Sequence, residues 1–295
     1  MRVFPSKYKF WNIVYEVAVR IVGLLDFKLS RSEQKLSFKT QSKKKHDRYH
    51  PVFIIGVPRT GSTFVYQLIT NNLKVKYFDN IVDIMHKYPL TAFHLSKFIY
   101  NDKPHNCFKS HHGTTLKYGL HAPSEAGNYW YRFIPEGQYK VDALEVTDKL
   151  KNKLKTEIQT ILKTYEQPLV IKNLANSLRL KFIFELFPYS RIIIIERDLE
   201  STLNSIINAR RKNDTPANSF WSIFPPEIKQ SKYPDERSRV LDQVRNIEKY
   251  INRDIKQFPD KQVLRVGYEN IVNEPEKMVE KIRHFVNAEK RQNLQ

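Results

Sequence analysis

The chain has a single cysteine, Cys107, among its 295 residues, so no intrachain disulfide can form. A lone cysteine also favours a reducing compartment such as the cytoplasm. Long apolar runs are missing as well. The best candidate span, Trp11 to Phe27, carries Glu16, Arg20 and Asp26. It also falls short of the roughly 20 apolar residues that a membrane crossing requires. The same charges, with no small-residue cleavage site after them, argue against a cleavable signal. Acidic residues are scarce: 31 Asp+Glu stand against 50 Lys+Arg, a formal net charge of +19. A surface this basic draws anions, whether nucleotide phosphates, acidic glycans, nucleic acid or anionic lipid. No nucleic-acid-binding motif accompanies the charge, which makes nucleic acid the weakest of these partners. Metal-ligand spacing is lacking too. His111-His112 and the other histidines form no HExxH-like pattern, and one thiol cannot build a thiolate site, so no metal is expected.

What is present suits one large α/β domain with an appendage. The 41% hydrophobic and 13% aromatic content argues against a disordered chain. Residues 1–50 stand apart, with twelve Lys/Arg against four Asp/Glu and the run Lys43-Lys44-Lys45. Ile13, Val14, Val17, Ile21, Leu24 and Leu25 recur there at helical spacing. The region reads either as an amphipathic helix packed on the domain and followed by a linker, or as a peripheral contact with anionic lipid.

From Pro51 to the C-terminus at residue 295 the pattern is that of an α/β domain. Val52-Phe53-Ile54-Ile55 reads as a buried parallel strand, and Thr63 to Asn71 as a helix. Further strands are expected at Val75–Phe78, Leu169–Ile171, Arg191–Glu196 and Val263–Val266, with helices at Asp148–Tyr165, Leu199–Arg210 and Glu236–Phe258. This alternation implies a parallel sheet covered by helices on both faces. His86 to Gln138, rich in His, Pro, Gly and aromatics, reads as a functional loop region.

The most informative stretch is Gly56-Val57-Pro58-Arg59-Thr60-Gly61-Ser62-Thr63, between a strand and a helix. Backbone amides and a helix N-terminus make an anion cradle there. Gly56, Gly61 and Thr63 match the spacing of the nucleotide loop GxxxxGK[ST], but Ser62 replaces the lysine that an NTPase uses on its β/γ-phosphates. The cation comes from Arg59 instead. Pro58-Arg59-Thr60-Gly61-Ser62-Thr63-Phe64 resembles, position by position, the 5′-phosphosulfate loop of the sulfotransferases that use 3′-phosphoadenosine 5′-phosphosulfate (PAPS).

Three further stretches fit that resemblance. Arg197 ends a strand and Ser205 follows eight residues later, matching the superfamily's 3′-phosphate pair. Tyr268-Glu269-Asn270-Ile271-Val272, followed by Pro275, resembles its C-terminal segment, and Leu169–Asn173 resembles the strand that brings a lysine, here Lys172, to the active site.

The resemblance implies a P-loop-like parallel sheet flanked by helices. It also implies PAPS as donor, adenosine 3′,5′-bisphosphate as product, and a glycan, lipid-linked sugar or small alcohol as acceptor. Thr60, Gly61, Ser62 and Thr63 would supply amides to the 5′-phosphate, Arg59 would stabilise the charge on the bridging oxygen, and Phe64 would either stack on adenine or fill the core. The general base is the position the sequence fixes least. Glu125, in His121-Ala122-Pro123-Ser124-Glu125, ranks first, then Asp79 or the nearby Asp83, then His121. The competing readings are a P-loop kinase that binds Mg²⁺ through Glu196-Arg197-Asp198, and a non-catalytic basic protein that binds membrane or nucleic acid.

Overall fold

The computed structural model describes residues 9–41, 48–111 and 113–291. The Lys43-Lys44-Lys45 run and His112 lie outside the described residues. The strands are β1 (Pro51–Gly56), β2 (Leu73–Lys74), β3 (Lys76–Tyr77), β4 (Leu169–Lys172), β5 (Arg191–Glu196), β6 (Val263–Gly267) and β7 (Glu289–Lys290). Five of them form a parallel sheet in the order β3-β4-β1-β5-β6, and β2 pairs antiparallel with β7 beside it. The helices are α1 (Lys9–Leu24), α2 (Asp26–Gln41), α3 (Ser62–Asn72), α4 (Asn80–Ile84), α5 (Pro89–Tyr100), α6 (Gly127–Trp130), α7 (Asp148–Tyr165), α8 (Leu180–Leu186), α9 (Leu199–Lys212), α10 (Glu236–Asp254), α11 (Tyr268–Asn273) and α12 (Pro275–Val286).

Successive strand side chains point to opposite faces, and both faces here are apolar. Phe53, Ile55, Ile171, Ile192 and Ile194 belong to one core cluster; Val52, Ile54, Val170, Ile193 and Ile195 belong to the other. The first cluster is closed by α7, α8, α9 and α10 through Leu154, Phe182, Leu203 and Val244, and the second by α3 and α12 through Val65, Ile69, Val279 and Ile282. Aspartates start two of these helices. Asp198 accepts from Ser201 N–H at the head of α9, and Asp235 from Ser238 N–H at the head of α10.

The structure departs from the sequence reading at several ends. The strand expected at 75–78 keeps only Lys76–Tyr77, because Val75 N–H turns back to Leu73 O at 2.9 Å and Asp79 already caps α4. The helix expected to run to Phe258 stops at Asp254 and tightens into a 3₁₀ turn ahead of Pro259. The 86–138 loop region contains α5, whose first amides are capped from a distance: Leu90 and Thr91 N–H both donate to the Glu33 carboxylate of α2 at 2.9 Å. The linker expected after α1 is largely α2, which presents Leu29 and Leu36 to the first cluster.

Candidate active site

Gly56, Lys172, Glu196 and Gly267 end four adjacent strands at the carboxyl edge of the sheet, where open α/β sheets bind ligands. A cleft of about 850 Å³ opens there. A second cavity, of about 670 Å³, lies at the other edge beside Pro51 and Ser190 and touches none of the loop residues.

The loop after β1 forms one wall of the cleft. Thr60 turns inward, its amide donating to Val57 O at 3.4 Å and its hydroxyl to the same oxygen at 2.9 Å. Its amide and hydroxyl thus both close the loop on Val57. Gly61 caps α3 without any side-chain acceptor, so the amides of the first helical turn have no cap partner. Gly61 has φ +85°, and a Cβ there would lie 2.2 Å from the Tyr268 ring. Only glycine fits, and the Tyr268 ring backs the loop as a result.

Arg59, also left-handed at φ 71°, turns its carbonyl to Arg197, whose Nη1–H donates to it at 3.0 Å. Arg59 Nε–H donates to Ser205 Oγ at 3.1 Å. The sequence-selected Arg59, Arg197 and Ser205 thus meet in one hydrogen-bonded group. Burial, with the Arg197 charge beside it, lowers the Arg59 pKa from its ordinary value. Arg197 lies over the Tyr268 ring at 4.9 Å, and its buried Nε has no hydrogen-bond partner among the described residues. Two crowded cations, an orphaned donor and an uncapped helix start together fit the phosphates of an adenosine bisphosphate. Phe64 both lines the cleft and packs on the second core cluster.

Lys172, 1% exposed at the end of β4, donates to Thr63 Oγ1 at 3.1 Å and pairs with Glu125 Oε1. A buried ammonium needs such a counter-charge. Glu125 is held by Asn173 Nδ2–H, which donates to its backbone oxygen at 3.1 Å. Gly113 passes directly over it: a Cβ there would come within 2.4 Å of Glu125 Oε1. Glu125 and Lys172 therefore lie in the cleft beside the loop.

Asp79 and His121 are not brought there. Asp79 is 2% exposed, accepts from Val82 N–H at 3.0 Å to cap α4, and accepts from Ser96 Oγ–H. His121 stacks on Tyr100 with ring centroids 4.0 Å apart, and burial lowers its pKa to about 4. Both line a narrow crevice behind the site. Their sequence positions suggested the base; capping and stacking account for them instead.

Asp83, one turn after Asp79, does reach the cleft. Asn128 N–H and Nδ2–H each donate to its Oδ1 at 3.3 Å, yet burial raises its pKa to about 6. The folded state therefore holds this proton more tightly than the unfolded chain does, and stability falls as pH rises from about 4 to about 6. Asp83→Asn should melt like the parent near pH 4 and be more stable by about 1–3 kcal/mol at pH 7.5, as read by thermal melts at both pH values.

Sequence reasoning missed Trp221. It lines the cleft from the segment between α9 and α10, with the Arg59 guanidinium 5.9 Å from its ring. The only cue was an aromatic and proline cluster, Phe220 to Pro226. The carboxylates that a kinase reading requires are engaged: Glu196 pairs with Arg265, and Asp198 caps α9.

A model described as the Sulfotransferase family matches residues 51–292. No curated protein sequence matches the chain. Among solved structures, sulfotransferase STF1 from Mycobacterium tuberculosis H37Rv is similar with a TM-score of 0.54 at 14% identity, over 88% of this chain and 72% of that one. Sulfotransferase STF9 from Mycobacterium avium gives a TM-score of 0.50 at 14% identity, over 82% of this chain and 64% of that one. At such identity these likenesses speak for the fold alone.

Proposed function

The chain belongs to the sulfotransferase family, and from that premise we propose that it transfers a sulfuryl group from PAPS to an acceptor hydroxyl on a glycan, a lipid-linked sugar or a small alcohol. The observation that carries the reading is the group formed by Arg197 Nη1, Arg59 O, Arg59 Nε and Ser205 Oγ, with links of 3.0 and 3.1 Å, at the mouth of an uncapped helix. On this reading the group brings the holders for both ends of an adenosine 3′,5′-bisphosphate to one sheet edge.

When bound, PAPS supplies sulfur that bonds to the acceptor oxygen as its bond to the 5′-phosphate oxygen breaks. The first-turn amides of α3 receive the 5′-phosphate, and Arg59 meets the negative charge that grows on the departing oxygen. Arg197 and Ser205 hold the 3′-phosphate. Lys172, next to Thr63, neutralises the group in transfer. Glu125 takes the acceptor proton.

Calorimetric titration tests the reading. Adenosine 3′,5′-bisphosphate should bind and ATP with Mg²⁺ should not. Arg197→Ala should weaken the bisphosphate at least about tenfold, the loss expected for one charge-assisted hydrogen bond. Tight ATP–Mg²⁺ binding with no bisphosphate binding would overturn it in favour of a kinase.

A further inference from the structure

Helix α1 is apolar over more of its circumference than the fold covers. Its inner side is used: Tyr15 is buried and donates to Asp83 O at 3.3 Å, and Val22 packs on the first core cluster. Its outer side is not. Ile13, Val17, Ile21 and Leu24, at i, i+4, i+8 and i+11, form one stripe that is 58, 48, 54 and 86% exposed. Between α1 and α5 runs an apolar groove of about 630 Å³, walled by Val14, Ile21, Ile84, Leu95, Ile99 and Leu120. Phe98, on the same helix as Leu95 and Ile99, is 85% exposed. A contiguous apolar face of this kind marks a docking surface.

Charge says what covers it. Arg20 on α1, Lys28, Arg31 and Lys35 on α2, Lys97 on α5 and Lys117 in the groove wall are the basic residues of this region. Of the acids on α1 and α2, Asp26 accepts from Tyr88 Oη–H and Glu33 caps α5, which leaves Glu16, exposed on α1, against these cations. A second copy docked here by two-fold symmetry would set like charges against each other. An anionic lipid surface takes both parts, the stripe at the acyl boundary and the cations among the headgroups. No described helix is long and apolar enough to cross a membrane, so the face would lie on the bilayer.

We propose that α1 and α5 form an interfacial docking face for an anionic bilayer. Leu116 lines both this groove and the active-site cleft, so the docking face and the cleft share a wall.

The test is co-sedimentation of the full chain with vesicles of equimolar phosphatidylcholine and phosphatidylglycerol, against vesicles of phosphatidylcholine alone. The anionic vesicles should bind at least about tenfold more tightly, and added salt should weaken them. Ile21→Glu and Phe98→Glu, both at exposed positions, should each cost about tenfold or more on the anionic vesicles. Titration with adenosine 3′,5′-bisphosphate should be unchanged in both variants, since neither residue lines the phosphate loop. Equal binding to both vesicles, or variants that sediment like the parent, would overturn the proposal. So would a dimer in analytical ultracentrifugation that these substitutions dissociate, since the face would then belong to a second copy.

Discussion

Arg59→Met is expected to lower kcat by about 10²–10³, the usual cost of removing one preorganised donor from a developing negative charge. The guanidinium is already fixed: its Nε is on Ser205 Oγ at 3.1 Å, and the Trp221 ring lies 5.9 Å from its centre. Fixing lets the charge act without reorganisation at the moment of reaction. Affinity for adenosine 3′,5′-bisphosphate should fall much less than turnover, because the first-turn amides of α3 and Arg197 remain. Arg59→Lys should recover part of the rate, since it restores the charge but not the planar fork. Single-turnover rates from labelled PAPS, beside calorimetric affinities, separate the two effects. A loss of affinity with the single-turnover rate kept would make Arg59 a ground-state anchor only.

Glu125→Gln should cost about 10²–10⁴ in kcat, the range for a positioned general base, with the affinity for adenosine 3′,5′-bisphosphate kept. The substitution also leaves the Lys172 ammonium buried without its counter-charge, which destabilises the fold by itself. Lys172→Met in the same chain removes that secondary cost. Because Lys172 itself faces the group in transfer, the double variant reports on stability alone and should melt near the parent temperature. The role of Glu125 is read from Glu125→Gln, which should lose turnover while its bisphosphate affinity shows the fold intact. Asp83 and Glu136 also line the cleft, and Asp83 is the buried one of the two. An Asp83→Asn variant that lost turnover while Glu125→Gln kept it would transfer the role one helix away.

The loop after β1 was legible because its signals are local. Gly56, Arg59, Gly61 and Thr63 sit within eight residues, and the strand and helix around them follow from period-2 and period-3.6 patterns. The sheet was legible for the same reason: its buried strands are unbroken runs such as Ile192 to Ile195. The meeting of Arg197 with Arg59 rested on a family resemblance, and the contact itself is made across 138 residues of chain. Asp79 and Asp83 show the opposite case. They are one helical turn apart, yet one caps α4 inside the core and the other faces the cleft. An aspartate immediately before a short helix was a capping signal. Helix α5 was hidden because Glu33, which caps it, lies 57 residues earlier. Trp221 was hidden because no period orders its segment.

The most direct measurement is a crystal structure of the protein soaked with adenosine 3′,5′-bisphosphate. The expected result has the 5′-phosphate on the amides that follow Gly61 and the 3′-phosphate between Arg197 and Ser205, with the remaining cleft leading to Glu125. A bisphosphate bound the other way round, or seated at the opposite edge of the sheet beside Ser190, would contradict the assignment.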